Sequence, residues 1–247
     1  MRCRLLAVHS SMSGSERVSA VVIGASGGIG GAFEAKLIEA GAFHAVYGFA
    51  RSRDQPQHLD LLNEASIATA AAHVAKGPPP TLVIVATGLL HAGDYSPEKA
   101  ARDLDPAWLE KIYAVNAIGP ALVAKHFLPI MPRATPTVFA ALSARVGSIT
   151  DNQLGGWHGY RASKAALNML VRNFAIEERR RNNRSIVVAL HPGTVDTALS
   201  RPFQVSIKPG RLFDPERAVL QLLDVIEGLK AADSGKLFDF EGKQVAF

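Results

Sequence analysis

Tyr160 and Lys164 carry side chains that together could transfer a proton. They lie four residues apart in the segment YRASKAALNML, so on a helix they occupy the same face, one turn apart. A phenol titrates near pH ~10 in water, and we expect the neighbouring ammonium group to favour the phenolate and lower that pKa. The pair is therefore a candidate general acid or base. Because this spacing also occurs on ordinary solvated helix faces, other parts of the chain must support the hypothesis.

A glycine-rich segment follows the first predicted strand. Residues 18–23 form a short apolar, β-branched run, and the sequence GASGGIG begins directly after it. Glycines permit a tight turn and the close approach of a pyrophosphate, and the helix predicted after the turn offers free N–H groups to an anion. This context predicts dinucleotide binding. The candidate contacts are Gly24, Ser26, Gly28, Ile29 and Gly30.

Arg51 follows the second predicted strand, residues 43–50, where the adenosine ribose of a dinucleotide would lie. An acidic residue there would accept a hydrogen bond from the 2′-hydroxyl of NAD, whereas an arginine pairs with the 2′-phosphate of NADP. Arg51 therefore favours NADP, although nearby Asp54 leaves NAD open and Arg51 could be an ordinary surface residue. Asp60 and Leu61 could contact the adenine or begin the next helix.

Strands and helices alternate along the chain. Strands are predicted at residues 18–23, 43–50, 81–87, 137–142, 185–190 and 237–240, and helices at residues 29–40, 66–76, 106–125, 160–181 and 215–229. Right-handed βαβ units then build an α/β, doubly wound Rossmann fold, with one mostly parallel sheet and helices on both faces. Ligands of such sheets bind at the carboxyl ends of the strands. We expect a loose tail at residues 1–17 and a single dinucleotide-binding and catalytic domain at residues 18–247.

The composition of the 247-residue chain argues against several classes of protein. One cysteine, Cys3, excludes an intramolecular disulfide framework, and no Cys/His cluster has metal-ligand spacing, so we expect a reducing cytoplasm and no metal. No stretch has the roughly 18 to 20 apolar residues that span a bilayer, so we expect no membrane contact. The net charge is +5, but the basic residues are scattered, and the arginines at 179–184 suit a helix carboxyl end better than nucleic acid.

Taken together, the motifs resemble the short-chain dehydrogenase/reductase family over residues 18–247. The resemblance rests on the GASGGIG turn, Asn116 in VNAIGP, Ser143 after the strand at 137–142, the YRASK segment and HPGTVDT. Within that family, the segments SARVGSITDNQLGGWHGYRASKAALNML and HPGTVDTALSRPFQ are similar to the C-factor-like branch.

This resemblance implies an NAD(P)-dependent oxidoreductase that interconverts a carbonyl and an alcohol by hydride transfer. Tyr160 is implied to exchange a proton with the substrate oxygen, while Lys164 favours the phenolate and binds the nicotinamide ribose. Ser143 is implied to hold the substrate oxygen, and Asn116 to interrupt regular helix bonding and hold a water that links Lys164 to solvent. The loop implied to surround the nicotinamide contains Pro192, Gly193, Thr194, Val195 and Thr197. A homodimer or homotetramer is also implied.

Three positions depart from the family pattern. Ile23 stands where the glycine motif usually has a threonine, and the sequence Ala-Thr-Gly at residues 86–88 replaces Asn-Ala-Gly. Ser143 precedes Gly147 by four residues instead of three. We expect a one-residue adjustment of this loop to bring Ser143 to the substrate.

Two functions are compatible with these residues. The first is a carbonyl reductase that prefers NADPH and acts on hydrophobic compounds beneath an apolar lid at residues 199–214. The second is a cofactor-binding regulatory or signalling protein with little turnover. Tyr160, Lys164 and Asn116 favour the enzyme, because a sensor needs no proton donor, whereas the displaced Ser143 slightly favours the sensor.

Overall fold

The computed structural model of the chain describes residues 17–207 and 209–247. Its strands are β1 (Ser19–Ile23), β2 (Ala45–Phe49), β3 (Pro80–Val85), β4 (Thr137–Leu142), β5 (Ser185–His191), β6 (Thr194–Val195), β7 (Leu212–Phe213), β8 (Leu237–Asp239) and β9 (Gln244–Val245). Seven of them form one sheet in the order β2-β1-β3-β4-β5-β8-β9, in which only the β8–β9 pair is antiparallel. The mostly parallel sheet predicted from the sequence is therefore confirmed. The predicted tail, which includes Cys3, lies outside the described residues apart from residue 17.

Helices cover both faces of the sheet. They are α1 (Gly28–Ala40), α2 (Glu64–Val74), α3 (Pro106–Tyr113), α4 (Gly119–Phe127), α5 (His158–Arg181) and α6 (Pro215–Gly228). Apolar side chains of α2, α4 and α5 form a core with one face of the sheet, and those of α1 and α6 form a second core with the other face. The doubly wound Rossmann fold is thus confirmed.

The central strands are apolar throughout because both of their faces are covered. In β1, Val21 and Ile23 belong to the core beneath α2, α4 and α5, whereas Ala20 and Val22 belong to the core beneath α1 and α6. Successive side chains of a strand point to opposite faces, so a strand between two helix layers shows an unbroken apolar run instead of an alternation.

The direction of strand addition reverses between β1 and β3. From β1 the chain crosses to β2 on one side, and it then returns to place β3 on the other side of β1. The loops that leave β1 and β3 therefore diverge and leave a crevice at the carboxyl edge of the sheet, the place where such folds bind ligands.

Three local features differ from the prediction. Strands β6 and β7 form a separate two-stranded parallel sheet, and β9 adds the antiparallel edge. Each of these strands has only two residues, which is too short to produce a recognisable period. The single helix predicted at 106–125 consists of α3 and α4 joined by a π-helical turn, Ala114–Ile118. Within the residues that the structure describes, no helix combines the length and hydropathy needed to cross a membrane.

Candidate active site

A cavity of about 380 Å³ opens at the carboxyl edge of the sheet. Its walls contain Ser143, Tyr160 and Lys164, three of the four candidate catalytic residues. Four candidate cofactor contacts also line it, namely Gly28, Ile29, Pro192 and Thr197. The fold therefore brings together residues that are separated by more than half of the chain.

Tyr160 and Lys164 lie in the first two turns of α5 and face this cavity. Tyr160 is 9% exposed and Lys164 is 2% exposed. The Lys164 Nζ atom lies 5.9 Å from the centroid of the Tyr160 ring and donates a hydrogen bond of 2.8 Å to the carbonyl oxygen of Leu142, the last residue of β4. The carboxyl end of β4 thus fixes the position of the ammonium group.

Burial controls the proton affinity of both groups. It raises the pKa of Tyr160 to about 12, and it lowers the pKa of Lys164 to about 7, because each charged form loses hydration in the protein interior. The expectation that Lys164 would lower the pKa of Tyr160 is therefore wrong for this structure. Nζ donates to Leu142 and not to the phenol, so its attraction for a phenolate does not overcome burial. At neutral pH the phenol keeps its proton.

Ser143 reaches the cavity although its sequence register departs from the family pattern. It directly follows β4, and its backbone N–H donates to the carbonyl oxygen of Leu190 in β5, which continues the pairing of the two strands. The Ser143 hydroxyl donates to Oδ1 of Asn168 at 2.6 Å, and Nδ2 of Asn168 donates to the carbonyl oxygen of Gly147. Asn168 thus links Ser143 to the short 3₁₀ turn that follows.

Asn116 lies in the π-helical turn and is completely buried. Its Oδ1 atom accepts the backbone N–H of Leu89 at 2.7 Å, and its Nδ2 atom donates to the carbonyl oxygen of Leu89 at 2.8 Å. Nδ2 also donates to Oγ of Ser163, and that hydroxyl donates to the carbonyl oxygen of Tyr160. The expected interruption of regular helix bonding is present, and Asn116 ties the loop after β3 to α5.

The glycine turn is closely packed between β1 and α1. Gly24 has a φ of 91°, a conformation that favours glycine, and its N–H donates to the carbonyl oxygen of Phe49 at the end of β2. A side chain on Gly30 would overlap the carbonyl oxygen of Gly24. Ser26 is exposed at the tip of the turn, and Gly24, Ser26 and Gly30 do not line the cavity itself. Their contribution is the shape of the turn.

The loop after β5 has residues that line the cavity and residues that pack beneath it. Pro192 and Thr197 line the cavity, whereas Gly193 has a φ of 76° and a side chain there would meet the ring of Phe213. Thr194 and Val195 form strand β6, and Val195 packs in a small core with Phe213. The Val195 side chain therefore shapes this loop from beneath.

The predicted adenosine end of the site lies apart from the cavity. Arg51 is exposed and makes no hydrogen bond or ion pair among the described residues. Arg53, two residues later, donates to both carboxylate oxygens of Glu34 at 2.8 and 2.6 Å, and also to the carbonyl oxygen of Gly48. The two arginines of this segment therefore differ, since only the charge of Arg51 is available to a ligand.

Asp60 and Leu61 have local structural contacts. Asp60 accepts the backbone N–H of Leu62, and its own N–H donates to the hydroxyl of Ser66 in α2. Leu61 packs against the core beneath α2, α4 and α5, close to Gly119. Neither residue lines the cavity.

Several cavity residues were not identified from the sequence. They come from the loop after β3 and the segment after β6, and they include Thr87, Gly88, Leu89, Leu90, His91 and Ala198, whereas Leu199 belongs to the expected lid at residues 199–214. The position of the first five at a strand exit was a usable signal, because ligands bind at the carboxyl ends of strands. A ring nitrogen of His91, Nε2, lies 3.2 Å from the carbonyl oxygen of Ala198, so these two segments are in contact.

An aromatic cluster lies over the entrance to Tyr160. Phe203, in the 3₁₀ helix Arg201–Ser206, packs at 5.3 Å from the ring of Trp157 and 5.7 Å from that of His91, and Trp157 packs edge-on against Tyr160 at 6.2 Å. These distances join ring centroids. The expected apolar lid at 199–214 thus contributes at least one aromatic side chain above the cavity.

Across residues 17–207 and 209–247, no group of three or more His, Cys, Asp and Glu side chains could hold a metal ion. The polar groups of the cavity are instead a phenol, an amine, an imidazole, the hydroxyls of Ser143, Thr87 and Thr197, and a helix amino end. These groups suit proton transfer and anion binding.

Comparison with known proteins identifies similar sequences. The profile of the family described as short chain dehydrogenase matches residues 18–206. C-signal of Myxococcus xanthus is 35% identical over 146 residues, which are 59% of this chain and 82% of that protein. Benzil reductase ((S)-benzoin forming) of Bacillus subtilis is 24% identical over 252 aligned residues, covering 90% of this chain and 97% of that protein.

Solved structures share the same architecture. The NADPH-bound carbonyl reductase from chicken fatty liver is similar with a TM-score of 0.79 and 27% identity, over 97% of this chain and 98% of that chain. The similarity of fold therefore extends over nearly the whole chain.

Proposed function

The chain belongs to the short-chain dehydrogenase family, with similarity to its C-factor-like branch, and from this premise we propose that it is an NADPH-preferring carbonyl reductase. Membership of the family makes it a nicotinamide-dependent oxidoreductase, and the finer proposal concerns the residues and the preferred cofactor. One observation carries it. A single cavity is lined both by the amino end of α1 and by Tyr160, Lys164 and Ser143. The same groups would serve alcohol oxidation in reverse.

The amino end of α1 fits the pyrophosphate of a dinucleotide. No side chain caps this end, its first turn has no acidic residue, and Gly28 and Ile29 face the cavity. The first N–H groups of a helix have no partners within the helix, and together with its dipole they favour an anion. A side chain on Gly28 would lie 2.8 Å from Thr197 and fill this cradle. When bound, a nicotinamide cofactor supplies the hydride.

Tyr160 acts as the general acid in reduction. Burial keeps the phenol protonated at neutral pH, and this is the form that can donate a proton to the substrate oxygen as negative charge develops there. The positive form of Lys164 stabilises the phenolate that remains, because its Nζ atom is held 5.9 Å from the ring centroid. With a pKa near 7, Lys164 can also gain or lose a proton at the working pH.

Ser143 and Asn116 support this transfer in different ways. Ser143 holds the substrate oxygen, which requires its hydroxyl hydrogen to turn from Asn168 toward the cavity. Asn116 contacts Leu89 and Ser163 and keeps the loop after β3 against α5. A water between Asn116 and Lys164, the relay that the family resemblance implies, stays a prediction.

We assign the preference for NADPH to Arg51. Its guanidinium group is exposed and without a protein partner among the described residues, so it can pair with a 2′-phosphate. Arg53 is neutralised by Glu34 and supports the strand instead. Family members known with NADPH or NADP bound, such as the chicken carbonyl reductase, are consistent with this choice.

The substrate is a carbonyl compound with an apolar or aromatic body. Five apolar side chains belong to the cluster around Tyr160, namely Leu89, Leu90, Trp157, Leu199 and Phe203, and the three leucines also line the cavity. Burial of apolar substrate surface against these side chains supplies binding energy, while Ser143 and Tyr160 orient the oxygen. The similarity to a benzil reductase supports an aromatic carbonyl as the first compound to test.

A regulatory or signalling role is the second candidate. It is favoured by the 35% identity to C-signal and by the hydroxyl of Ser143, which is directed to Asn168. In that case the chain would bind NADPH without appreciable turnover.

One experiment separates the two candidates. NADPH oxidation is measured with a panel of carbonyls that includes benzil and small aliphatic aldehydes, for the wild-type protein and for Tyr160→Phe. The reductase proposal predicts turnover that falls roughly 10²- to 10⁴-fold in the variant while NADPH affinity is retained. NADPH binding without turnover of any carbonyl would favour the signalling role, and equal rates for the two proteins would remove Tyr160 from the mechanism.

The oligomeric state follows from the exposed side of α5 in the same proposal. Met169 is 61% exposed and Ile176 is 45% exposed, whereas Leu167 belongs to the core. We propose a homodimer or homotetramer that covers the two exposed side chains. Light scattering should give a mass of two or four chains, and a monomer at assay concentration would contradict it.

A further inference from the structure

The three residues that precede the first turn of α5 have an unusual backbone. Gly155, Gly156 and Trp157 have φ values of 62°, 63° and 51°. Trp157 is the one residue with a side chain that adopts a positive φ among those that the structure describes. This conformation is unfavourable for a bulky residue and persists only where the surroundings enforce it. The contacts of this left-handed turn therefore indicate what holds the amino end of α5.

Glu98 makes the principal contacts. Its carbonyl oxygen accepts the N–H of Trp157 at 2.5 Å, and its two carboxylate oxygens lie 3.3 and 3.2 Å from the N–H of Gly159. From the other side, Nε of Arg161 donates to the carbonyl oxygens of Gly155 and Gly156 at 3.2 and 3.0 Å. The left-handed turn is thus held by an acidic residue from a distant part of the sequence and by a basic residue on α5 itself.

The carboxylate of Glu98 is buried among apolar side chains. Glu98 is 4% exposed, and in the described part of the chain it forms no ion pair. A side chain on Gly159 would lie 2.8 Å from Glu98 Oε1, 3.1 Å from Leu109 and 3.2 Å from Ile112, so the carboxylate and apolar side chains of α3 all lie against Gly159. A buried carboxylate is costly unless donors surround it, and here the positive end of α5 supplies the compensation.

The groups held in this way touch Tyr160 directly. Gly159 is its neighbour in the chain, and the ring of Trp157 packs edge-on against the phenol ring. A displacement of the first turn of α5 would therefore move the phenol relative to Ser143 and the cavity. Lys164 would be affected less, because its amine is fixed separately by Leu142.

We propose that Glu98 is a positioning residue for Tyr160, which it holds through the N–H groups of Trp157 and Gly159. This inference rests on the proposed role of Tyr160 as general acid. The negative charge of the Glu98 carboxylate also opposes loss of the phenolic proton of Tyr160, since both groups lie at the amino end of α5. The other titratable groups near Tyr160 are Arg161, which follows it on α5, Lys164 and His91, which line the same cavity, and Tyr113, which packs against the same apolar cluster.

The chain offers a matched control in Glu178. It is also a buried glutamate, 7% exposed, but it lies in the penultimate turn of α5, where it pairs with Arg181 at 2.6 Å. The helical rise places it roughly 27 Å from Tyr160. Replacement of Glu178 therefore removes a buried carboxylate from the helix that carries Tyr160, at a site remote from the proposed active site.

The kinetic test compares Glu98→Ala and Glu98→Gln with the same changes at Glu178. We expect Glu98→Ala to lower kcat roughly 10- to 100-fold with an unchanged Kd for NADPH, because misplacement of a catalytic group by about 1 Å has effects of this size. Glu98→Gln keeps an oxygen acceptor and should restore most of kcat. It should also move the basic limb of the kcat profile about half a unit to lower pH, since a negative charge is lost.

The Glu178 variants should lose stability while kcat and its pH profile stay at wild-type values. A fall in kcat for Glu98→Ala no larger than that for Glu178→Ala would overturn the proposal. So would a Glu98→Gln profile identical to that of the wild type.

A fluorescence measurement tests the left-handed turn without turnover. The chain has two tryptophans, and Trp108→Phe leaves Trp157 as the single reporter. The indole N–H of Trp108 has no partner among the described residues, so the substitution breaks no hydrogen bond there. In this background, Glu98→Ala should shift the Trp157 emission to longer wavelength, and Glu178→Ala should not.

Unchanged emission in Glu98→Ala would show that the turn does not depend on Glu98. This readout remains valid if the wild-type protein reduces no carbonyl, so failure of the reductase proposal and failure of the Glu98 proposal give different results.

Discussion

The catalytic and adenosine ends of the proposed cofactor site are built in opposite ways. At the catalytic end, Ser143, Tyr160 and Lys164 are all less than 10% exposed and are held by contacts with neighbouring elements. At the adenosine end, Arg51 is exposed and has no partner among the described residues. Position is therefore enforced where a proton moves, whereas a single exposed charge distinguishes the cofactors.

This difference predicts how substitutions act. At the catalytic end, a lost group leaves a defect in a packed cluster, so the effect on turnover should be large. At the adenosine end, the lost interaction is a solvated ion pair between Arg51 and the 2′-phosphate, so only the affinity for NADPH should change. The following substitutions test that contrast.

Lys164→Met should have the largest effect. The thioether fills a similar volume but cannot stabilise a phenolate, so we expect kcat to fall roughly 10²- to 10⁴-fold. Steady-state rates with the best carbonyl of the panel measure this change, and thermal unfolding controls for the fold. A variant with more than a tenth of wild-type kcat would show that this buried amine is dispensable, and the contrast between the two ends would fail.

Gly30→Ala should follow in size. The added methyl group overlaps the carbonyl oxygen of Gly24 and forces the glycine turn apart, at a cost of about 1–3 kcal/mol in stability. We expect the affinity for NADPH to be lost, as measured by quenching of tryptophan fluorescence. Gly228→Ala is the matched control, because nothing lies within 4 Å of a side chain at that position. Equal binding by both variants would contradict the proposed role of the turn.

Arg51→Ala should change selectivity and leave catalysis intact. Loss of a charge-assisted hydrogen bond, worth about 1.5–3 kcal/mol, predicts a roughly 10- to 100-fold weaker Kd for NADPH and no change for NADH. Isothermal titration with both cofactors measures the ratio. Arg133→Ala serves as control, because Arg133 is exposed before β4, at the opposite edge of the sheet. If Arg51→Ala still preferred NADPH over NADH, a residue other than Arg51 would be responsible for the preference.

Phe203→Ala should have the smallest effect. The ring contacts Trp157 and His91, but it is only partly buried, unlike Tyr160 and the other members of the cluster that it packs against. We expect KM for aromatic carbonyls to rise roughly 3- to 10-fold, in line with about 1 kcal/mol of lost aromatic contact, and kcat to change little. A fall in kcat as large as that of Lys164→Met would make the lid part of the catalytic machinery.

Features with a local period were predictable from the sequence. The run of residues 18–23 predicted β1, and the spacing of Tyr160 and Lys164 predicted one face of α5, which the structure confirms. The order of strands and helices along the chain was enough to predict a doubly wound sheet, because right-handed crossovers leave few alternative topologies. The place of the cavity followed from the rule that ligands of such sheets bind at the carboxyl ends of the strands.

Contacts across long sequence separations were not predictable. Glu98 belongs to no motif in the sequence, yet its carboxylate lies against the N–H of Gly159, 61 residues later. Arg51 and Arg53 looked alike until the structure paired Arg53 with Glu34. The direction of the pKa shift of Tyr160 also depends on how completely the fold buries the ring, which a spacing of four residues cannot show.

The π-helical turn also limits how the length of this chain can change. On one side of it, Trp108 and Ile112 face the cluster around Tyr160, and on the other side Phe127 faces the core beneath the sheet. A π turn contains about one residue more than an α turn, so deletion of one residue within Ala114–Ile118 would convert the segment into a regular α-helix and leave α4 in nearly the same rotation relative to α3. Both sets of side chains could then stay buried, whereas loss of one residue within α3 or α4 would rotate one set by about 100° and force homologues to rebuild one of the two cores.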